Sequence, residues 1–193
     1  MAATKRWTFR PLTLAQWDDL VALFGPKGAC AGCWCLYWRV PRPVYSAGCA
    51  DGGRGNRAAM RKRVKIGPPP GLLAYEGKTP VGWITVAPRE EFVRLGTSRT
   101  LKPVDDQPVW SAPCFFVAKS HRRRGLSLAL LEAAAEFAKK SGAEILEGYP
   151  TETDKDQPAP FVYTGLKGAF DKAGFEVAAR RSKVRPVMRK QLR

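Results

Sequence analysis

The stretch Cys114-Phe115-Phe116-Val117-Ala118-Lys119-Ser120-His121-Arg122-Arg123-Arg124-Gly125-Leu126-Ser127 reads as a strand that runs through a short basic loop straight into a helix. No other part of the chain narrows the choice of folds as far. The first turn of a helix leaves its N–H groups without partners, so an abrupt strand-to-helix junction aims those donors at whatever lies above the loop. The aligned peptide dipoles favour negative charge at the same place, and phosphate meets both conditions. Gly125 permits close backbone approach, Arg122, Arg123 and Arg124 add positive charge, and Ser127 is too small to crowd a pyrophosphate. The loop lacks the Gly-Lys-Ser/Thr of a P-loop and the three spaced glycines of the dinucleotide fingerprint, so it is neither of those sites.

The elements around this junction alternate in type. Residues 7–10 read as a strand and 13–24 as a helix, with Thr13 as N-cap and Gly25 as its stop. Residues 26–55, rich in Gly, Pro, Cys and aromatics without a sustained period, are expected to be irregular and packed by their own side chains. Asn56 is placed to cap a basic helix running to Lys65. Residues 72–75 and 81–86 form a predicted hairpin with a turn over 76–80, and 90–108 a polar loop with a short helical turn. In the strand 110–117, Pro113 implies an edge, a bulge or a break in pairing. Helix 125–141 presents Leu126, Leu130, Ala133 and Phe137 on one face. Strand 144–149, a polar loop over 151–160, helix 164–172 and strands 175–180 and 186–190 complete the order. At 193 residues this is one α/β domain spanning 1–193, a mixed central β-sheet flanked by helices.

Arg122-x-x-Gly125-x-Ser127, followed by Leu128-Ala129-Leu130-Leu131, resembles the signature of the GNAT superfamily of acyl-CoA-dependent N-acyltransferases. That signature is Arg/Gln-x-x-Gly-x-Gly/Ala at a strand-to-helix junction; here Ser127 replaces the final small residue. Ala169-Phe170-Asp171-Lys172-Ala173-Gly174-Phe175 is similar to the late Gly-Phe helix ending of the same family, and the element order agrees along nearly the whole chain. The resemblance implies a single-domain GNAT-like fold and acetyl-CoA as acyl donor. Backbone groups of Phe116 and Val117 would pair with the pantetheine arm, and backbone amides of Arg122, Arg123, Arg124, Gly125, Leu126 and Ser127 would hold the pyrophosphate. A substrate amine would attack the thioester directly in a ternary complex, its oxyanion stabilised by a backbone N–H near Phe116 or Val117. Many relatives place a tyrosine acid four residues before the Gly of the Gly-Phe pair, where this chain has Phe170. Tyr163 and Tyr149 are the alternative acids, and Glu90, Glu91 or water the candidate bases.

Five cysteines, Cys30, Cys33, Cys35, Cys49 and Cys114, are an odd number in a chain whose start shows no apolar signal run, which argues against a disulfide framework. A zinc site would use the four from 30 to 49, but zinc clips usually come as two separated Cys-x-x-Cys pairs, so no metal ligand is assigned. The opposing reading is reduced thiols packed among Trp34, Tyr37 and Trp38, lining the acceptor pocket. The single histidine, His121, excludes sites needing several imidazoles and reads as the residue before the motif arginine. With 33 basic against 17 acidic residues the net charge is +16, concentrated in residues 54–65, 119–124 and 180–193. CoA accounts for the middle run only. The others motivate a second reading, a basic nucleic-acid- or ribosome-binding module that keeps the fold without turnover. No run approaches a membrane span, so the expectation is a soluble cytoplasmic protein with no membrane partner.

Overall fold

In the computed structural model residues 7–155, 157–158 and 161–192 are described. Three residues of the expected polar loop, Asp156, Ala159 and Pro160, lie outside them, as do the first six residues and Arg193. One seven-stranded sheet organises the rest, in the order β1-β2-β3-β4-β5-β7-β6. Its strands are β1 (Thr8–Pro11), β2 (Gly71–Glu76), β3 (Thr79–Pro88), β4 (Trp110–Val117), β5 (Ile145–Gly148), β6 (Glu176–Ala179) and β7 (Val187–Gln191). All described neighbours pair antiparallel except β4 and β5.

The sheet is covered on both faces, and the two-residue alternation of strands assigns each side chain to one of them. Leu72, Ala74 and Ile84 meet Leu126, Leu130, Leu131 and Ala134 of α4 (Leu126–Lys140). Leu73, Tyr75 and Trp83 point the other way, toward Trp17, Leu20 and Phe24 of α1 (Trp17–Phe24) and toward Trp34 and Cys35. Leu130 is fully buried at the centre of its layer, so truncation to alanine costs about 2–5 kcal/mol. Among the described residues no helix is long and apolar enough to cross a membrane.

Several expectations need correction. The helix over 13–24 divides into a 3₁₀ turn at Leu14–Gln16 and α1; Thr13 caps the turn, accepting from the Ala15 N–H at 3.3 Å. Residues 26–41 are irregular as expected, but α2 (Arg42–Ile66) begins well before Asn56. Prolines at positions 41 and 43 open it, and non-helical backbone from Ala50 to Gly53 kinks it, which hides the helical period from the sequence. Asn56 is therefore no cap. It is buried, and its amide donates to Gly32 O at 2.9 Å and Tyr45 O at 3.3 Å, tying the irregular segment to the helix.

The β2–β3 hairpin is tighter than read, since Glu76 pairs with Thr79 and leaves only Gly77 and Lys78 in the turn. A four-residue helix, α3 (Val93–Gly96), supplies the helical turn expected in the following loop. The late helix, α5 (Lys167–Lys172), starts three residues later than expected and does not reach Tyr163.

Candidate active site

Pairing of β4 with β5 covers Trp110↔Leu146, Ser111↔Glu147 and Ala112↔Gly148, and ends there. Pro113 comes next and has no N–H to extend the ladder, which accounts for the break its position predicted. Beyond it β4 remains bonded to β3 on one side only. The Phe115 N–H turns away from β3 and donates to Tyr163 O at 2.6 Å. In an antiparallel pair the backbone groups of successive residues alternate in direction, so Val117 shares the side of Phe115, and the backbone of Phe116 faces Trp83 on β3. This separates the two residues expected to meet pantetheine. Val117 offers its backbone to the opening; Phe116 contributes its ring, 5.4 Å from that of Phe24.

Phe170 forms the wedge that keeps the strands apart. It is fully buried against Gly148, where a Cβ would collide with its ring, and edge-on to Phe115 at 5.9 Å and Phe175 at 5.0 Å. A phenol there would bury its hydroxyl in an apolar cluster, which gives a packing reason for phenylalanine. The resulting cleft, about 1520 Å³, runs from the loop before α4, past β4, to the irregular segment at 29–38.

At one end of the cleft the chain leaves β4 through a 3₁₀ turn (Lys119–His121) and enters α4 with Gly125 at φ 85° in the N-cap position, with no side chain capping the helix. Arg123 also has positive φ, at 60°. Left-handed backbone at Arg123 and Gly125 leads directly into the first turn of α4, whose unpaired N–H groups and positive dipole end favour an anion. The loop is held from below. Glu76, at the end of β2, accepts from Arg124 at 3.2 Å and meets His121 Nε2 at 2.9 Å, while Arg122 Nε donates to Val117 O at 3.2 Å. His121 thus anchors the loop.

The opposite end of the cleft is built from side chains. Residues 29–35 hold four non-glycine positions at positive φ, Ala29, Ala31, Trp34 and Cys35, a strained arrangement fixed from outside. Gly32 presses on the α2 kink so closely that a Cβ there would sit 2.8 Å from Gly53 Cα. The shelf so formed presents Tyr37, Trp38 and Tyr45; the Tyr37 ring meets those of Trp38, Tyr45 and Tyr163 at 4.9–5.9 Å, and Trp38 lies 6.5 Å from Tyr163. Below it Trp83 Nε1 donates to Cys35 Sγ at 3.1 Å. A hydrogen bond from Cys114, added to that indole, holds the Cys35 thiol below its usual range, and the same contact raises Cys114. Burial pushes Cys33 up to about 11. The buried Arg39 guanidinium is held by Glu91 at 2.6 Å, Pro70 O and Thr85; burial, with Arg63 beside it, brings its pKa down to about 10. The thiol reading of the cysteines fits this lining, where Cys30, Cys33, Cys35 and Cys114 all border the cleft. Among the described residues no group of three or more His, Cys, Asp or Glu is placed to hold a metal ion.

The four acid–base candidates separate clearly. Tyr163 borders the cleft, half-buried. Burial, reinforced by Tyr37, raises its phenol pKa, so it carries its proton at neutral pH. Tyr149 does not border the cleft. It is fully buried in a polar network with Glu147 at 2.6 Å, Ser111 at 2.8 Å and Arg89 at 2.5 Å. Glu91 is occupied by Arg39 and Arg63, and exposed Glu90 beside it is likewise absent from the cleft lining. Sequence reasoning named the cysteines from 30 to 49 with Trp34, Tyr37 and Trp38 as pocket residues; Trp34 and Cys49 are absent from the lining. It missed Trp83 and Phe24, which do border the cleft and whose spacing carries no signal because they meet only in the folded layer.

The sequence profile of the acetyltransferase (GNAT) family matches residues 21–165. No curated protein matches the chain. Among solved structures, YncA of Salmonella typhimurium, determined with its cofactor acetyl-CoA, is 15% identical and superposes with a TM-score of 0.55 over 98% of this chain and 95% of its own. The PaiA N-acetyltransferase of Thermoplasma acidophilum, in complex with coenzyme A, is 12% identical, with a TM-score of 0.54 over 96% and 98% of the two chains. A GNAT-family acetyltransferase of Streptococcus agalactiae is 12% identical, with a TM-score of 0.57 over 98% and 97%. At such identities these structures establish the shared fold. The profile, which covers well over half of the sequence and includes both the splayed strand and the loop before α4, establishes more: the chain belongs to the acetyltransferase (GNAT) family.

Proposed function

We propose that this protein transfers an acetyl group from acetyl-CoA to a primary amine by direct attack in a ternary complex. The observation that carries the reading is the continuity of one backbone edge: Val117 faces the opening, and eight residues later Gly125 turns the chain into the N-terminus of α4. Pantetheine would lie along the free edge of β4 beside Val117, and the pyrophosphate against the N–H groups from Arg123 to Ser127. The solved acetyl-CoA and CoA complexes of similar fold support acetyl-CoA as the donor.

In the reaction the amine nitrogen attacks the thioester carbonyl carbon, and the developing oxyanion takes the Val117 N–H. The C–S bond then breaks. Tyr163, kept protonated by its burial, gives its proton to the departing sulfur, and the proton lost by the amine passes to water, since Glu90 and Glu91 do not border the cleft. The test is an assay of CoA thiol release with an amine panel, with products identified by mass. Amide product at a rate dependent on both substrates supports the reading. Folded protein that ignores acetyl-CoA yet binds nucleic acid in a salt-sensitive manner would overturn it in favour of the binding-module reading.

A further inference from the structure

All five cysteines are free thiols, and two of them, far apart in the chain, meet in the fold. Cys114 lies on β4 directly opposite Thr85 of β3, and opposed residues project their side chains to the same face of a sheet. Trp83, two residues before Thr85, shares that face, and its indole donates to Cys35 Sγ at 3.1 Å. Cys35 therefore sits over the strand pair that carries Cys114, and a hydrogen bond joins the two thiols. That bond, the Trp83 indole and the nearby charge of Arg39 favour the Cys35 thiolate, the nucleophilic form of the side chain, against the burial that opposes it. The other thiols are differently placed. Cys33 donates to Gly28 O at 3.1 Å, Cys49 accepts from the Asn56 amide at 3.3 Å, and Cys30 is exposed. Cys35 and Cys114 both border the cleft, which gives a molecule as small as a peroxide an approach to them. Cys35 also stands at φ 59°, at the end of the strained segment that presents the aromatic shelf.

We propose that Cys35 and Cys114 form an oxidisable pair, which a hydroperoxide converts into a disulfide that ties the shelf to β4. The Cys35 thiolate attacks one peroxide oxygen, the O–O bond breaks, and hydroxide leaves with a proton from the thiols as water; Cys35 is then a sulfenic acid. The Cys114 sulfur attacks the Cys35 sulfur, the S–O bond breaks, and the departing hydroxyl takes the Cys114 proton as a second water. Two thiols are oxidised and one peroxide is reduced. The step needs no acetyl-CoA and stands apart from the acetyl-transfer reading.

The experiment treats the reduced protein with an equivalent of hydrogen peroxide, unfolds it in iodoacetamide, and maps its peptides by mass. The five alkylatable thiols should fall to three, with the loss of two hydrogens' mass and a peptide in which fragmentation joins Cys35 to Cys114. Dithiothreitol should restore all five. The bridge closes a loop of roughly 80 residues, so the oxidised form should melt about 5–10 °C above the reduced one. Cys35→Ser and Cys114→Ser should each lose the linked peptide and the melting shift, and Cys30→Ser should keep both. The map of the wild-type protein decides the matter even where a variant folds poorly. A bridge between any other two cysteines, oxidation confined to Cys30, or survival of all five thiols would overturn the proposal.

Discussion

The two ends of the cleft are made in opposite ways. The donor end is backbone: its features are the free edge of β4, two left-handed residues and an uncapped helix terminus, none of which depends on a particular large side chain. The acceptor end is side chain: the rings of Tyr37, Trp38, Tyr45 and Tyr163, the Cys114 thiol, and three thiols on a strained segment that Asn56 and the Gly32–Gly53 contact hold in place. A backbone site recognises what every donor molecule shares, whereas a side-chain site is free to differ from protein to protein without disturbing the first. The difference predicts that damage to one end leaves the binding function of the other intact.

The largest effect is expected from Gly125→Glu, which forces a side chain into φ 85° and sets a carboxylate in the anion site. Steady-state kinetics should show kcat/KM for acetyl-CoA reduced by about three orders of magnitude, the sum of strain and repulsion at a charge-assisted site. Next comes Tyr163→Phe. It removes the proposed acid, so kcat should fall roughly 100-fold with KM for acetyl-CoA unchanged. Because burial raises this phenol from an ordinary value of 10.0, it stays protonated through neutral and moderately alkaline pH, and loss of activity from its ionisation should appear only above pH 10.

Gly53→Ala attacks the acceptor end from behind. It puts a Cβ onto Gly32 at a residue with φ 86°, and should cost about 2–3 kcal/mol in denaturant unfolding. Turnover should drop about tenfold as the shelf shifts, a loss of alignment alone. Tyr149→Phe sharpens the comparison from outside the cleft: it should leave kcat within about twofold and lower stability by about 1–2 kcal/mol, because Glu147 and Ser111 lose the hydroxyl between them.

The strand–loop–helix junction at the proposed donor end was legible in the sequence because it is local. Strand, loop, Gly125 and helix follow one another within twenty residues, and turn chemistry plus periodicity is enough to read them. The sheet order was partly legible for the same reason, through the hairpin and the Pro113 break. The acceptor end was not. Tyr163 reaches its place outside α5, through a hydrogen bond that its own carbonyl accepts from the Phe115 N–H. The start of α2 was hidden because the Ala50–Gly53 kink interrupts its period, and Arg39, Trp83 and Cys35 are neighbours only across layers. Tyr149 and Glu91 drew attention as titratable groups, yet both are consumed by buried partners that no spacing rule exposes.

The most direct test of this division is a calorimetric titration of acetyl-CoA into the wild-type protein, Gly125→Glu and Gly53→Ala, each shown to be folded. Donor recognition by the backbone between Val117 and Ser127 predicts wild-type affinity in Gly53→Ala and no measurable binding in Gly125→Glu. Equal affinity in all three, or loss of binding in Gly53→Ala alone, would contradict it and move the donor site elsewhere on the molecule.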